Sequence, residues 1–416
     1  MRKRILSLCM LFTLLITLAF PSLTLAIEEP NIIGTSAIIM DLDTKEIIYA
    51  KNMDELKQPA SITKLMTALL LAENKTKTDI FTYSEAASKQ DPYSYGMNVH
   101  PVAVGDTFNG ENAMNILLLF SGNDIAYMIA ENIGGTVENF MNMMNEKAKS
   151  LGMNNTHFVT PNGLDDNTDE HYTTAYDLAL LLSAAYQNDW VRETMAKKTE
   201  VVQSQGGPVA TIENRNKLVG TNGNVGGKTG YTDKSGRCLA SLYSRNGRNF
   251  AIVVLNSEYD FPTDVKVFED TEILADFGYA AQKGTYLAAN STIDEVTVEY
   301  NILPFIGPKK TVKIPVTLHE DINLYESGLK PEFNYTVNPL NTWTLSTGKP
   351  IGKATVTIKD YTLEYDLYST LSNMDIIKTN IIYYVMALLV LIAVVCLIFI
   401  IISKIMKSKR RKRRYY

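Results

Sequence analysis

Between Ser36 and Asn52, in SAIIMDLDTKEIIYAKN, apolar and polar positions alternate on either side of a polar turn at Asp43–Lys45, which predicts a β-hairpin. In PASITKLMTALL, from Pro59 to Leu70, the apolar spacing becomes helical and continues through Leu71, with Ser61 at its opening. Helical spacing returns from Glu111 to Leu151, interrupted at FSGND and IGG, and TTAYDLALLLSAAYQ predicts another helix. From about Val209 the texture changes to strands, through VGGKTGYTDKSGRCLASLYSRNGRNFAIVVLNSE, followed by a helix expected from about Pro262 to Ala281. Hairpin, helices, then strands again is an α+β plan in which the first and last strands share a sheet. Residues from about Ser291 to Ser369 alternate in short runs such as DEVTVEYNI and KATVTIKDYTLEYDLY, which predicts a small all-β sandwich.

The two ends of the chain do not fit a globular pattern. MRKR, an apolar stretch and TLA predict a secretory signal peptide over residues 1–26, cleaved after Ala26. Ile381–Ile402 is a run of 22 residues without a charge, long enough to span a bilayer. The tail that follows, residues 403–416, holds eight Lys/Arg and no acid, so the positive-inside rule places it in the cytoplasm. The expected protein is exported and held in the cell membrane by one C-terminal span, and cutting from Ile376 onward is expected to release a soluble enzyme. Between these ends, residues 27–403 hold 29 Lys/Arg against 45 Asp/Glu, a net charge of −16 that argues against a nucleic-acid partner.

Of the three cysteines, Cys9 falls in the leader and Cys396 in the span, so Cys238 has no partner for an intramolecular disulfide. His100, His157, His171 and His319 show no ligand spacing, and neither a metal nor another cofactor is expected.

The chemistry centres on Ser61 and Lys64. A serine opening a helix is ordinarily a cap. It can also be a nucleophile, if a base lies within reach and donors hold the oxyanion. Lys64, three residues on, shares the helix face, and burial or a second cation would make its amine a base. The same spacing at Ser327/Lys330 and Ser346/Lys349 runs into proline in strand-rich sequence, so neither opens a helix. Ser121 and Asn123 sit in the helix break FSGND, and Lys228–Thr229–Gly230 lies in a strand, where the glycine would admit close approach by a ligand. Each signal is weak alone. In this order they are the three motifs of penicilloyl-serine enzymes.

The chain resembles the low-molecular-mass penicillin-binding proteins, the serine-type D-alanyl-D-alanine carboxypeptidases. SLGMNNTHFVTPNGL, HYTTAYDLALL, NRNKLV and GGKTGYTDKSGRCLAS extend the likeness over most of residues 30–370. The resemblance implies a penicillin-binding, transpeptidase-like catalytic domain over 27–283 and a β-sandwich domain over 284–370. It implies a peptidoglycan stem peptide ending in D-Ala-D-Ala as substrate and β-lactams as covalent inhibitors. Carried over by motif, Ser61 attacks, Lys64 takes its proton, and Ser121 relays a proton to the leaving D-alanine. Asn123 contacts Lys64 and the substrate backbone, and Lys228 supplies positive potential. The N–H groups of Ser61 and Tyr231 form the oxyanion hole. Thr229, Gly230 and Arg215 complete the substrate site, the Arg215 match being the loosest. Many relatives attach through an amphipathic C-terminal helix, where this chain has a full apolar span.

Two other functions compete. A class A β-lactamase would need a deacylating glutamate on a loop, and Glu138, the nearest match, falls in a helical stretch. A non-catalytic penicillin-binding or sensing module would need a cytoplasmic signalling domain, for which the tail is too short.

Overall fold

The computed structural model describes residues 29–91, 102–165, 168–303 and 306–412, and the signal-peptide reading of residues 1–26 lies outside the described residues. The chain divides into two compact units between Gln282 and Lys283.

In the first unit, β1 (Ser36–Asp41) and β2 (Ile47–Lys51) form the N-terminal hairpin. Three further strands, β3 (Asn224–Thr232), β4 (Gly236–Arg245) and β5 (Arg248–Ser257), complete one antiparallel sheet in the order β2-β1-β5-β4-β3. β1 lies against β5 in unbroken register from Ser36↔Leu255 to Asp41↔Phe250, so the sheet closes over more than 200 intervening residues. Ile38, Ile39, Ile252, Val253 and Val254 are fully buried, on both faces of the sheet. Such strands read as continuous apolar runs and not as alternation because helices cover both sides.

The helices are α1 (Lys64–Asn74), α2 (Asn123–Gly134), α3 (Val137–Ser150), α4 (Ala175–Gln187) and α5 (Lys266–Ala280). Every residue of α1 from Lys64 to Leu71 is buried, which makes it the core helix of this unit. Each fully buried leucine there contributes roughly 1.5–3 kcal/mol. A lysine at its first position is therefore held where no charge is easily tolerated.

The second unit contains β6 (Thr292–Leu303), β7 (Ile306–Thr317), β8 (Glu332–Val337), β9 (Gly352–Ile358) and β10 (Tyr361–Ser369), in the order β6-β7-β10-β9-β8. β7 meets β10 only at Val316↔Ser369 and Thr317↔Tyr368. The sheet thus separates into two halves that enclose one core around Ile314, Val316, Val356 and Leu367. Helix α6 (Asn373–Thr379) opens with a Ser372–Asp375 capping box and places Ile376 in that core. Helix α7 (Ile381–Lys412) is long and apolar enough to cross a membrane. It extends beyond the expected span of 381–402, because the lysines and arginines that follow are themselves good helix formers.

Candidate active site

The turn that carries Ser61 is a short 3-10 helix, Ala60–Thr63, and α1 begins only at Lys64. Ser61 is not a cap: neither helix start has a side-chain capping bond. The turn enters through Ala60 with φ at +46°, a left-handed conformation that costs an alanine about 1–2 kcal/mol. Two glycines hold it there. A side chain at Gly163 (φ +90°) would overlap the Ala60 carbonyl oxygen, and a Cβ on Gly230 would stand 2.9 Å from the Pro59 carbonyl oxygen. The approach expected of a ligand at Gly230 is thus made, on the side where its Cβ would project, by the protein's own backbone, which brings β3 against the Ser61 turn.

Lys64 is fully buried, and among the described residues its Nζ has three hydrogen-bond neighbours: Ser61 Oγ at 2.8 Å, Asn123 Oδ1 at 2.8 Å and the carbonyl oxygen of Asn162 at 2.7 Å. The last comes from the loop 161–164, which is tied to α1 again where Thr67 Oγ1 donates to the Pro161 carbonyl at 2.7 Å. Asn123 opens α2, and its Nδ2 donates to the Asp91 carbonyl at 3.3 Å, which leaves Oδ1 facing Lys64. Ser121 precedes it in left-handed backbone (φ +71°, ψ 37°), ending a π-helical turn over Ile116–Phe120. Strained backbone in a non-glycine residue is retained where the fold over-determines it.

Lys228 projects from β3 and is buried, donating to Ser121 Oγ and to the Thr229 carbonyl, both at 2.9 Å. The structure therefore links Ser61, Lys64 and Asn123 in one group and Ser121 with Lys228 in another. The two are joined through the turn that bears Ser121 and Asn123.

Electrostatics distinguish the two amines from surface lysines. Lys64 is held well below its ordinary range, by burial first and by the Lys228 charge second, with Asp124 opposing. Asp124 is itself buried, accepting from Tyr83 Oη at 2.9 Å. Burial, then Arg215 and Arg237, bring Lys228 down to about 7. Removing these ions from water makes the charged form costly, and each added cation raises that cost.

The remaining expected residues lie around this centre. Thr229 is buried in β3. Tyr231 packs against Tyr259 with ring centroids 4.7 Å apart and the rings tilted by 48°, and its hydroxyl donates to Asp233. Arg215 stands over the Phe120 ring at 5.2 Å, where it acts on Lys228 electrostatically. Glu138 is exposed in the first turn of α3. Neither Ser327 nor Ser346 lies in a helix.

Sequence reasoning missed Asn162, Asp124 and Arg237. Asn162 contributes a backbone carbonyl, for which a side-chain motif carries no signal. Arg237 pairs with Asp264 through Nε to Oδ1 at 2.6 Å and a second bond. Its place opposite Tyr231 in the β3–β4 register could have flagged it.

Residues 24–259 match the family model described as D-alanyl-D-alanine carboxypeptidase. Among curated relatives, D-alanyl-D-alanine carboxypeptidase DacF of Bacillus subtilis is 28% identical over 305 residues, covering 72% of this chain and 76% of the relative. The D-alanyl-D-alanine endopeptidase of Escherichia coli is 32% identical over 266 residues, covering 59% of this chain and 82% of the relative. The solved structure of D-alanyl-D-alanine carboxypeptidase DacD from Francisella tularensis shares the fold, with a TM-score of 0.61 and 24% identity over 86% of this chain and 97% of that one. With more than half of its length matched by the family model, the chain belongs to the serine D-alanyl-D-alanine carboxypeptidases, penicillin-binding hydrolases of the cell wall.

Proposed function

We propose that Ser61 is the acylated nucleophile, and that Lys64, neutral in the resting enzyme, is its base. One observation carries this reading. Of the three oxygens around Lys64 Nζ, two belong to carbonyl groups that can only accept, and the third is the Ser61 hydroxyl. A neutral amine has two N–H groups and one lone pair. The N–H groups go to Asn123 and Asn162, so the lone pair meets the Ser61 proton.

Ser61 Oγ then bonds to the carbonyl carbon between the two terminal D-alanines as its proton moves to Lys64. The N–H groups of Ser61 and Tyr231 hold the oxyanion. As the C–N bond breaks, the Lys228-bound Ser121 hydroxyl passes its proton to the departing D-alanine nitrogen and takes in its place the proton that Lys64 received from Ser61, which returns Lys64 to its neutral form. Water adds to the acyl-enzyme, Lys64 accepts its proton, and the Ser61 oxygen leaves as the hydroxyl. Lys228 supplies the positive potential, and Thr229 through its hydroxyl and Arg215 through its guanidinium bind the substrate's terminal carboxylate.

The substrate is the peptidoglycan stem pentapeptide. The catalytic unit ends near residue 283 and stands on the extracytoplasmic face, with the span at 381–402 and the basic tail 403–416 in the cytoplasm. Ser61→Ala is expected to abolish both D-alanine release from a pentapeptide and labelling by fluorescent penicillin. Continued labelling would discard Ser61 as the nucleophile.

A further inference from the structure

The hairpin formed by β6 and β7 runs beside the first turn of α7. Asn380 Nδ2 donates to Tyr300 Oη at 2.7 Å, and Tyr384 Oη donates to the Ile302 carbonyl at 2.7 Å. Between these contacts the helix advances four residues, about 6 Å. The strand advances two residues, about 6–7 Å. Strand and helix therefore travel in the same direction at nearly the same rate. A third contact comes from the returning strand, where Lys310, paired with Tyr300 in the ladder, donates to Asn380 Oδ1 at 3.1 Å and lies over the Tyr383 ring at 4.8 Å.

This alignment assigns depths. The charge-free run of α7 begins at Ile381, so Tyr300, Lys310 and Asn380 stand at its threshold. Ile302 is level with Tyr384, already inside that run. The ladder shifts register between Asn301 and Leu303, and Leu303, paired with Ile306, lies beyond Ile302 as the last residue of β6. No residue from Ile302 to Pro308 carries a charge, and charge resumes at Lys309 and Lys310. Lys309 pairs with Glu299 at 2.7 Å, both exposed. Tyrosines at the threshold and lysines whose stems can carry their charge outward are the residues that favour a bilayer interface.

We propose that the β6–β7 hairpin is a second membrane contact, with Leu303 entering the lipid interface beside the span and Lys309 and Lys310 at headgroup level. The occupant of this surface is the bilayer itself, because the hairpin packs against the first turn of the element that crosses it. The second unit is thereby seated on the membrane and does not swing freely from a tether. This inference rests on the reading of α7 as a membrane span.

The test uses the full chain in phospholipid vesicles, with Cys9 and Cys396 replaced by alanine and the buried Cys238 retained. Single cysteines at Leu303, Lys309, Lys313 and Val390 are labelled with an environment-sensitive fluorophore, and penicillin labelling confirms that each variant is folded. The Leu303→Cys probe is expected to be blue-shifted, quenched by doxyl-labelled lipids and shielded from aqueous iodide. The exposed Lys309→Cys probe is expected to respond to headgroup-labelled quencher, and Lys313→Cys to iodide alone. If the probes at 303 and 309 respond to iodide as Lys313→Cys does while the Val390→Cys probe reads lipid, the hairpin contact is overturned and the span stands. If Val390→Cys also reads water, the span reading itself fails.

Discussion

The carbonyl oxygen of Asn162 lies 2.7 Å from Nζ of Lys64, so a backbone group with no chemistry of its own fixes how the amine is used. With Asn123 Oδ1 engaging a second N–H, one direction on the nitrogen remains, and it points at Ser61. An arginine at this position keeps its proton and has no lone pair to offer. Lys64→Arg is expected to slow acylation by roughly 100- to 10,000-fold, the usual contribution of a positioned base. The measurement is the second-order rate of labelling by a fluorescent β-lactam. Near-wild-type labelling would mean that another group takes the Ser61 proton.

In the proposed mechanism Lys64 works neutral and Lys228 charged, so the two lysines are expected to set opposite limbs of a pH profile. Lys64 must be neutral and is held well below the ordinary lysine range, so activity rises with pH as it sheds its proton. Lys228 must be charged and titrates at about 7, so kcat/KM falls as pH passes that value. A bound substrate carboxylate favours the ammonium, and the falling limb of kcat is expected at higher pH than that of kcat/KM. Lys228→Arg retains the charge, and should move the falling limb away from neutrality even where it lowers the rate.

Gly163 is expected to resist substitution. Its φ of +90° and the position of the Ala60 carbonyl leave no room for a methyl group. Gly163→Ala should displace the Ser61 turn, lower stability by on the order of 2–4 kcal/mol and reduce penicillin labelling. Denaturant unfolding and labelling measured on the same sample check both effects.

Acid should destabilise the catalytic unit through His171. This buried imidazole lies 2.8 Å from Thr63 Oγ1 and accepts from the Val159 N–H. Burial, and secondarily His157, lower it from 6.5 to about 3. In that window the unfolded chain binds the extra proton, so stability is lost as pH falls from 6.5 towards 3. The slope approaches about 1.4 kcal/mol per pH unit. Urea midpoints at pH 6.5 and 4 should differ more for the wild type than for His171→Gln.

Truncation should depend on where α6 is cut. Ile376 belongs to the core of the second unit, so removing everything from Ile376 onward also removes a core side chain. A chain ending at Asn380 is expected to be soluble and active. One ending at Asp375 should show a lower melting temperature for the second unit, followed by calorimetry, with D-alanine release from a soluble peptide retained in both.

The sequence determined the main elements of this protein and the candidates for its reactive groups. Apolar runs on either side of a polar turn mark β1 and β2, helical spacing marks α1, and an uncharged run marks α7, because each pattern reports what a local segment can bury. The three motifs singled out Ser61, Lys64, Ser121, Asn123 and Lys228 as candidates, since residue type, spacing and order are written in the chain itself.

Tertiary structure decided what the motifs could not express. Motif spacing does not reveal that Ser61 rides a 3-10 turn pressed between Gly163 and Gly230. Nor does it reveal that Asn162 supplies a carbonyl, or that Arg215 and Arg237 bear on Lys228. These are long-range relations of backbone and field. They arise when β3, the 161–164 loop and the Ser61 turn are packed together, and burial then turns two ordinary lysines into groups that titrate far from their usual range.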